Sequence, residues 1–176
     1  MAKKDKIDVL KGQMCPMCRK KTLTLSETET EVPFFGKLFV FGMNCESCKF
    51  NKSDIEAAEP KEPCKCTIEI KGKEDLQIRV VKGAEAKVKI PHVGSIEPGP
   101  ASQGYVTNVE GIINKIKKQI EFVKDNEDDA SARKKAKNLL KKLQKVLWGN
   151  EKLKIIIEDP TGNSAIISDK AERKKL

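Results

Sequence analysis

The 176-residue sequence contains no uninterrupted apolar run near the roughly 18 residues that a membrane-crossing helix needs. Its first residues, Met1-Ala2-Lys3-Lys4-Asp5-Lys6, lack the apolar stretch of a secretory leader. There is a single histidine, no Gly-rich phosphate loop and no recognisable nucleophile–base pair. His92 sits beside Pro91 at the end of a strand-like segment, has no visible catalytic partner, and reads as loop filler. No segment recurs at the roughly 20–50-residue period of solenoids and propellers. These absences argue against a membrane span, a secreted chain, a phosphate-loop or triad enzyme, and a repeat architecture. The expectation is a soluble, cytoplasmic binding protein rather than an enzyme.

What the chain does carry is charge. Lys and Arg number 35 against 26 Asp and Glu, for a net charge of +9. That balance suits nucleic acid, an acidic protein surface, or solubility alone. The joint abundance of Lys and Glu resembles compositions selected at high temperature, where ion-pair networks cost less to desolvate.

Six cysteines are present, and four fall into two knuckles, Cys15-Pro16-Met17-Cys18 and Cys45-Glu46-Ser47-Cys48. In a reducing compartment such pairs point to metal rather than disulfides. Each Cys-x-x-Cys places two sulfurs on one metal, and two knuckles complete a tetrahedral shell with Zn–S near 2.3 Å. Iron accepts the same ligands; nothing in the sequence supplies an electron-transfer partner, which favours zinc. A four-thiolate shell has no open position for substrate, so one structural Zn2+ is expected. Cys64 and Cys66 have the poorer Cys-x-Cys spacing and lie at a strand start, where core packing competes with metal binding.

Alternation and turn residues organise the rest. Residues 1–14 read as a flexible basic arm and 15–58 as a zinc ribbon of knuckle, strand, turn, strand, knuckle. The strands run from Thr22 to Val32 and from Lys37 to Met43. An acidic, proline-bearing stretch at 54–63 reads as a linker. Residues 59–168 read as a β domain with strands Cys66–Ile70, Leu76–Val81, Ala86–Ile90, Leu153–Ile157 and Ala165–Ser168, and with a turn-rich loop at His92–Gly104. Between these strands, residues 107–149 fit a helical hairpin. Thr107-Asn108-Val109-Glu110 matches a capping box, and Ile112, Ile113, Ile116, Ile120 and Val123 form one stripe. Ala136, Leu140, Leu143 and Leu147 form the other. Residues 169–176 read as a basic tail.

Five of the six phenylalanines lie between positions 34 and 50. Alternation places Phe39, Phe41 and Met43 on one face of their strand, with Leu38 and Val40 on the other. Phe34 and Phe35, at the ribbon's turn, are the candidate partner-binding anchors, with intramolecular packing as the alternative. The second helix carries Arg133, Lys134, Lys135, Lys137, Lys141, Lys142 and Lys145 but only Trp148 as an aromatic. Nucleic-acid binding by a zinc ribbon is therefore the alternative function.

The two knuckles, Val32-Pro33-Phe34-Phe35-Gly36 and Asp75-Leu76-Gln77-Ile78-Arg79-Val80-Val81-Lys82 together resemble ZPR-type zinc-finger proteins. So do Val88-Lys89-Ile90-Pro91, Gly99-Pro100-Ala101-Ser102-Gln103-Gly104, Thr107-Asn108-Val109-Glu110-Gly111 and Glu158-Asp159-Pro160-Thr161-Gly162-Asn163-Ser164. The resemblance implies a four-cysteine zinc ribbon followed by a double-stranded β-helix domain with a helical-hairpin insertion, in the single-module form of archaeal members. Eukaryotic members hold the module in tandem, bind translation elongation factor 1-alpha and assist its folding. The implied role here is an adaptor or folding factor for the archaeal elongation factor GTPase. Lys49-Phe50 departs from the family's frequent Gly-aromatic pair, and Cys64 and Cys66 are extras.

Overall fold

The computed structural model describes residues 6–32, 35–59 and 61–176. The cysteine knuckles sit on a four-stranded antiparallel sheet in the order β1 (Lys6–Gln13), β2 (Leu23–Val32), β3 (Gly36–Cys45) and β4 (Asn51–Ala57). Two of these strands depart from the sequence reading. The expected arm is, over Lys6–Gln13, a strand laddered on β2 from Lys6↔Glu29 to Leu10↔Leu25, and residues 1–5 lie outside the described residues. Residues 54–57 of the expected linker belong to β4, which pairs with β3 from Leu38↔Ala57 to Asn44↔Asn51. In both, a charged sequence adopts a strand because a neighbouring strand's ladder satisfies its backbone amides and carbonyls.

The second unit begins with β5 (Cys64–Ile70), followed by a 3-10 turn at Lys73–Gln77 that takes in Leu76 and Gln77, the first two residues of the expected strand Leu76–Val81. Next come β6 (Arg79–Lys82), β7 (Lys87–Ile90), β8 (Gly94–Ile96) and β9 (Tyr105–Asn108). Helices α1 (Val109–Asn126) and α2 (Ala130–Leu147) form the hairpin, after which β10 (Leu153–Asp159), β11 (Ala165–Ile167) and β12 (Glu172–Lys175) complete the domain. One sheet has the order β12-β5-β10-β7-β8 and the other β11-β6-β9. Three features differ from expectation. The loop 92–104 contains β8, the tail contains β12 paired with β5, and α1 is capped by Asn108 rather than Thr107. Asn108 Oδ1 accepts the Gly111 amide at 2.8 Å, while Thr107 is held in the β6–β9 ladder opposite Val80.

Burial follows the two periodicities. Ile68, Ile70, Val88, Ile90, Ile155 and Ile157 occupy alternate strand positions, and Ile112, Ile113, Ile116, Leu143 and Val146 cover them from the hairpin. Each such side chain contributes about 1.5–3 kcal/mol of transfer free energy. Val123, placed on the stripe by its spacing, is exposed beyond the end of the covered surface.

The inner face of the ribbon docks on this unit through Val32, Phe35, Leu38 and Ile55, packed with Val81 and Ala165. Two glycine-bearing loops lock the junction. The Asp159–Ser164 turn is shaped by the buried Asp159 carboxylate, which accepts from the Thr161 amide and from the Thr161 and Ser164 hydroxyls. Its Asn163 Oδ1 accepts the Ala57 amide of β4 at 3.3 Å. Gly162 there has φ +73°, and an added Cβ would meet the Glu62 carbonyl at 2.5 Å. A Cβ on Gly104 would meet Ile55 Cγ1 at 2.6 Å, while the Ser53 hydroxyl donates to the Gly104 carbonyl at 3.2 Å. Close approach at both points requires glycine.

Candidate metal centre

Strands β2 and β3 bring the two knuckles together at one end of the ribbon, with Leu23 paired to Cys45. The knuckles are copies of one local design. Cys15 N donates to the Lys20 carbonyl at 2.9 Å and Arg19 N to the Cys15 carbonyl at 2.9 Å. In the second knuckle Cys45 N donates to Phe50 at 2.8 Å and Lys49 N to Cys45 at 3.0 Å. The residue after each second cysteine is left-handed, Arg19 at φ 58° and Lys49 at φ 59°. A residue without a Cβ suits that conformation, which gives a physical reason for the glycine that the resemblance implies in place of Lys49.

The four sulfurs lie within 4.8 Å of one another, with Cys15 Sγ 3.7 Å from Cys48 Sγ and Cys18 Sγ 3.7 Å from Cys45 Sγ. Sulfurs about 2.3 Å from one tetrahedral centre stand about 3.8 Å apart, so the donor set fits one zinc ion. Cys15 and Cys45 are fully buried, Cys18 is half-buried and Cys48 is exposed. The Cys48 amide and the Thr22 hydroxyl, the latter 3.3 Å from Cys45 Sγ, draw the Cys45 thiol down to about 6. Cys48 is favoured as thiolate by the Phe50 amide, yet desolvation and the sulfurs of Cys45, Cys15 and Cys18 push it up to about 12. Four thiolates share this space stably around a cation, which deprotonates them outright. Leu23, Leu25 and Phe50 pack about the buried cysteines and shield the site.

Thr22 escaped the sequence reading as a site residue, because only the β2–β3 ladder brings its hydroxyl to Cys45. The candidate anchors fare differently from the ligands. Phe34 lies outside the described residues. Phe35 is only 4 % exposed, wedged in the junction core with Lys61 Nζ 4.7 Å from its ring centre, so it is packing rather than an exposed anchor. A turn residue after Pro33 has no alternation to say which way it points, and the surface of the second unit at Val81 and Ala165 captures it.

Among the described residues the four knuckle cysteines are the one cluster of three or more metal-binding side chains. Cys64 and Cys66 face the core of the second unit instead, and both thiols donate toward the Ser164 carbonyl, at 3.6 and 3.8 Å. The Arg173 guanidinium donates to the same carbonyl at 3.0 Å. His92 is exposed at φ 62°.

This architecture has known counterparts. Residues 8–63 match the family model of the ZPR1 zinc-finger domain and residues 74–175 that of the ZPR1 jelly-roll domain. The chain is 35% identical over 164 residues to a ZPR1-like protein of Methanocaldococcus jannaschii, covering 92% of this chain and 83% of the relative. It is 34% identical over 179 residues to a ZPR1-like protein of Pyrococcus horikoshii, covering 99% of this chain and 80% of the relative. A zinc finger chaperone of Schizosaccharomyces pombe is 27% identical over 157 residues, covering 87% of this chain but 34% of the relative. With the zinc-finger model matched first and the jelly-roll model directly after it, the chain belongs to the ZPR1 family.

Proposed function

We propose that this protein is a zinc-dependent, non-enzymatic folding factor or adaptor for a translation elongation factor GTPase of the 1-alpha type. The observation that carries the reading is the closed metal site. The four cysteine sulfurs would fill the tetrahedral shell of one zinc ion, which supports a metal that organises a surface rather than one that activates a substrate. The relative from Schizosaccharomyces pombe is called a zinc finger chaperone, which supports a protein as the ligand of that surface. The elongation factor is the partner implied by the family resemblance. The test is retention of purified archaeal elongation factor 1-alpha on the immobilised zinc-loaded chain. Binding that is lost on chelation is expected, and no binding at micromolar concentrations of both would reject this partner.

Nucleic acid is the second reading. Helix α2 exposes Arg133, Lys134, Lys135, Lys137, Lys141 and Lys145, with exposed Trp148 at its end. That reading requires an affinity for RNA or DNA that falls steeply with salt.

A further inference from the structure

The ribbon's two faces have different fates. Its inner face, through Leu38 and Ile55, is buried on the jelly roll. The outer face is built by register-matched rows that cross the sheet. One row runs Leu10, Leu25, Met43 and Lys52; the next runs Asp8, Glu27, Phe41 and Asp54; a third runs Glu29, Phe39 and Glu56. Along β3 this makes a stripe of Phe39, Phe41 and Met43, the two rings 6.4 Å apart, with carboxylates on both neighbouring strands. Leu10 is 62% exposed and Met43 37% exposed. Two cavities adjoin across Phe41. One, of about 210 Å³, is walled by Leu10, Leu25, Phe41 and Met43 together with Asp8 and Glu27. The other, also about 210 Å³, is walled by Phe41 with Asp54, Glu56, Glu85, Thr161 and Asn163.

This combination selects its occupant. A purely apolar segment would desolvate Glu27, Glu56 and Glu85 without pairing them, a cost of several kcal/mol for each one fully buried. Phosphate or an acidic peptide would be repelled. A lysine or arginine satisfies both surfaces at once, because its aliphatic stem lies along Leu, Met and Phe while its cation reaches the carboxylates and the ring face. The sign of the charge is also local. On a chain of net charge +9, the carboxylates of Glu27, Asp54 and Glu56, with Glu85 from the adjoining β6–β7 loop, gather around Phe41 and favour an approaching cationic segment. We propose that the outer face of the zinc ribbon, centred on Phe41, docks a lysine- or arginine-bearing amphipathic segment of the protein partner, with one basic side chain in each cavity. The proposal rests on the protein-binding reading above and names the surface and the chemistry of its ligand.

The probe is a synthetic peptide of alternating leucine and lysine, compared with its leucine–glutamate counterpart. Each is titrated into the isotope-labelled, zinc-loaded full chain and followed by NMR. The lysine peptide is expected to shift the amides around Leu10, Leu25, Phe41 and Met43, and the glutamate peptide to leave them unmoved. Glu27→Lys with Glu56→Lys, both exposed positions, is expected to weaken lysine-peptide binding about tenfold or more while zinc content and the remaining spectrum stay unchanged. Shifts confined to the helical hairpin, no saturable shifts at all, or equal binding by the double variant would overturn the proposal. So would protein concentration alone shifting this face, because the occupant would then be a second copy of this chain. The same double variant is then tested on the elongation factor. If the parent chain retains the factor and the variant retains it equally, the placement fails and the partner stands. If the parent chain does not retain it while the lysine peptide seats on Phe41, the partner fails and the site stands.

Discussion

The ribbon and the jelly roll solve the same problem, burying enough surface to stay folded, by different means. The jelly roll closes two sheets and a hairpin over a continuous apolar core that includes Ile113, Leu143, Ile155 and Ile157. The ribbon is one sheet thick. Among its described residues, buried apolar side chains gather only about the cysteines at one end and against Val81 and Ala165 on its inner face. A single sheet cannot cover both of its own faces, so metal and neighbour replace a core, and the outer face is left free to bind. Thinness is thus what makes the ribbon both zinc-dependent and available.

The strongest way to break this contrast is to remove the metal. Zinc binding is worth roughly 10–16 kcal/mol in small finger domains. Chelation, or Cys45→Ser, is expected to abolish hydrogen-exchange protection in β1–β4 while protection in β5 and β10 survives. Simultaneous loss across the chain would show that the two regions fold as one unit. The converse change is Ile155→Ala in the jelly-roll core, where the side chain is fully buried. It is expected to lower stability by about 2–5 kcal/mol in denaturant titrations, with one zinc still bound.

A smaller effect tests electrostatics within the jelly roll. Burial pushes the Asp75 carboxyl up, but the Lys170 ammonium and the Lys71 and Gly72 amides outweigh it and hold Asp75 below the usual carboxylate range. A carboxylate with a depressed folded-state value stabilises fully above the ordinary aspartate range, and the contribution disappears as pH falls through the depressed value. Asp75→Asn is expected to cost about 1–3 kcal/mol near neutral pH and to flatten the acid limb of the stability profile. An unchanged limb would remove the ion pair from that account. The smallest effect sharpens the ribbon side. Lys49 sits at φ 59°, so Lys49→Gly is expected to gain about 0.5–1 kcal/mol, read as a higher chelator concentration for half-unfolding. A loss would mean that the Lys49 side chain contributes something the strain argument omits.

How much of this was legible in the residues depended on range. The zinc ligands were legible because two Cys-x-x-Cys knuckles are complete local statements, and both helices because their apolar periods run for several turns. Strands β2 and β3 were marked by alternation and β-branched residues. Strand β12 was not, since all four of its residues are exposed and only the ladder on β5 makes them a strand. Strand β1 has too few apolar positions among charges to announce itself. Phe35 turned inward because of a surface supplied by Val81 and Ala165, which no neighbouring residue in the sequence reveals. The Thr107 capping box competed with pairing to Val80, and the ladder won.

The pairing of β5 has a consequence for the order in which the molecule is made. Cys66 finds Ile157 of β10 and Arg173 of β12 as its ladder partners, while among the described residues β1 to β4 pair with one another alone. At a synthesis rate of about 5–20 residues per second, β5 emerges several seconds before either partner exists. The ribbon needs no such wait. During translation its thiols can capture zinc and set the first folded platform, and the jelly roll then closes around β5 once the last strands arrive.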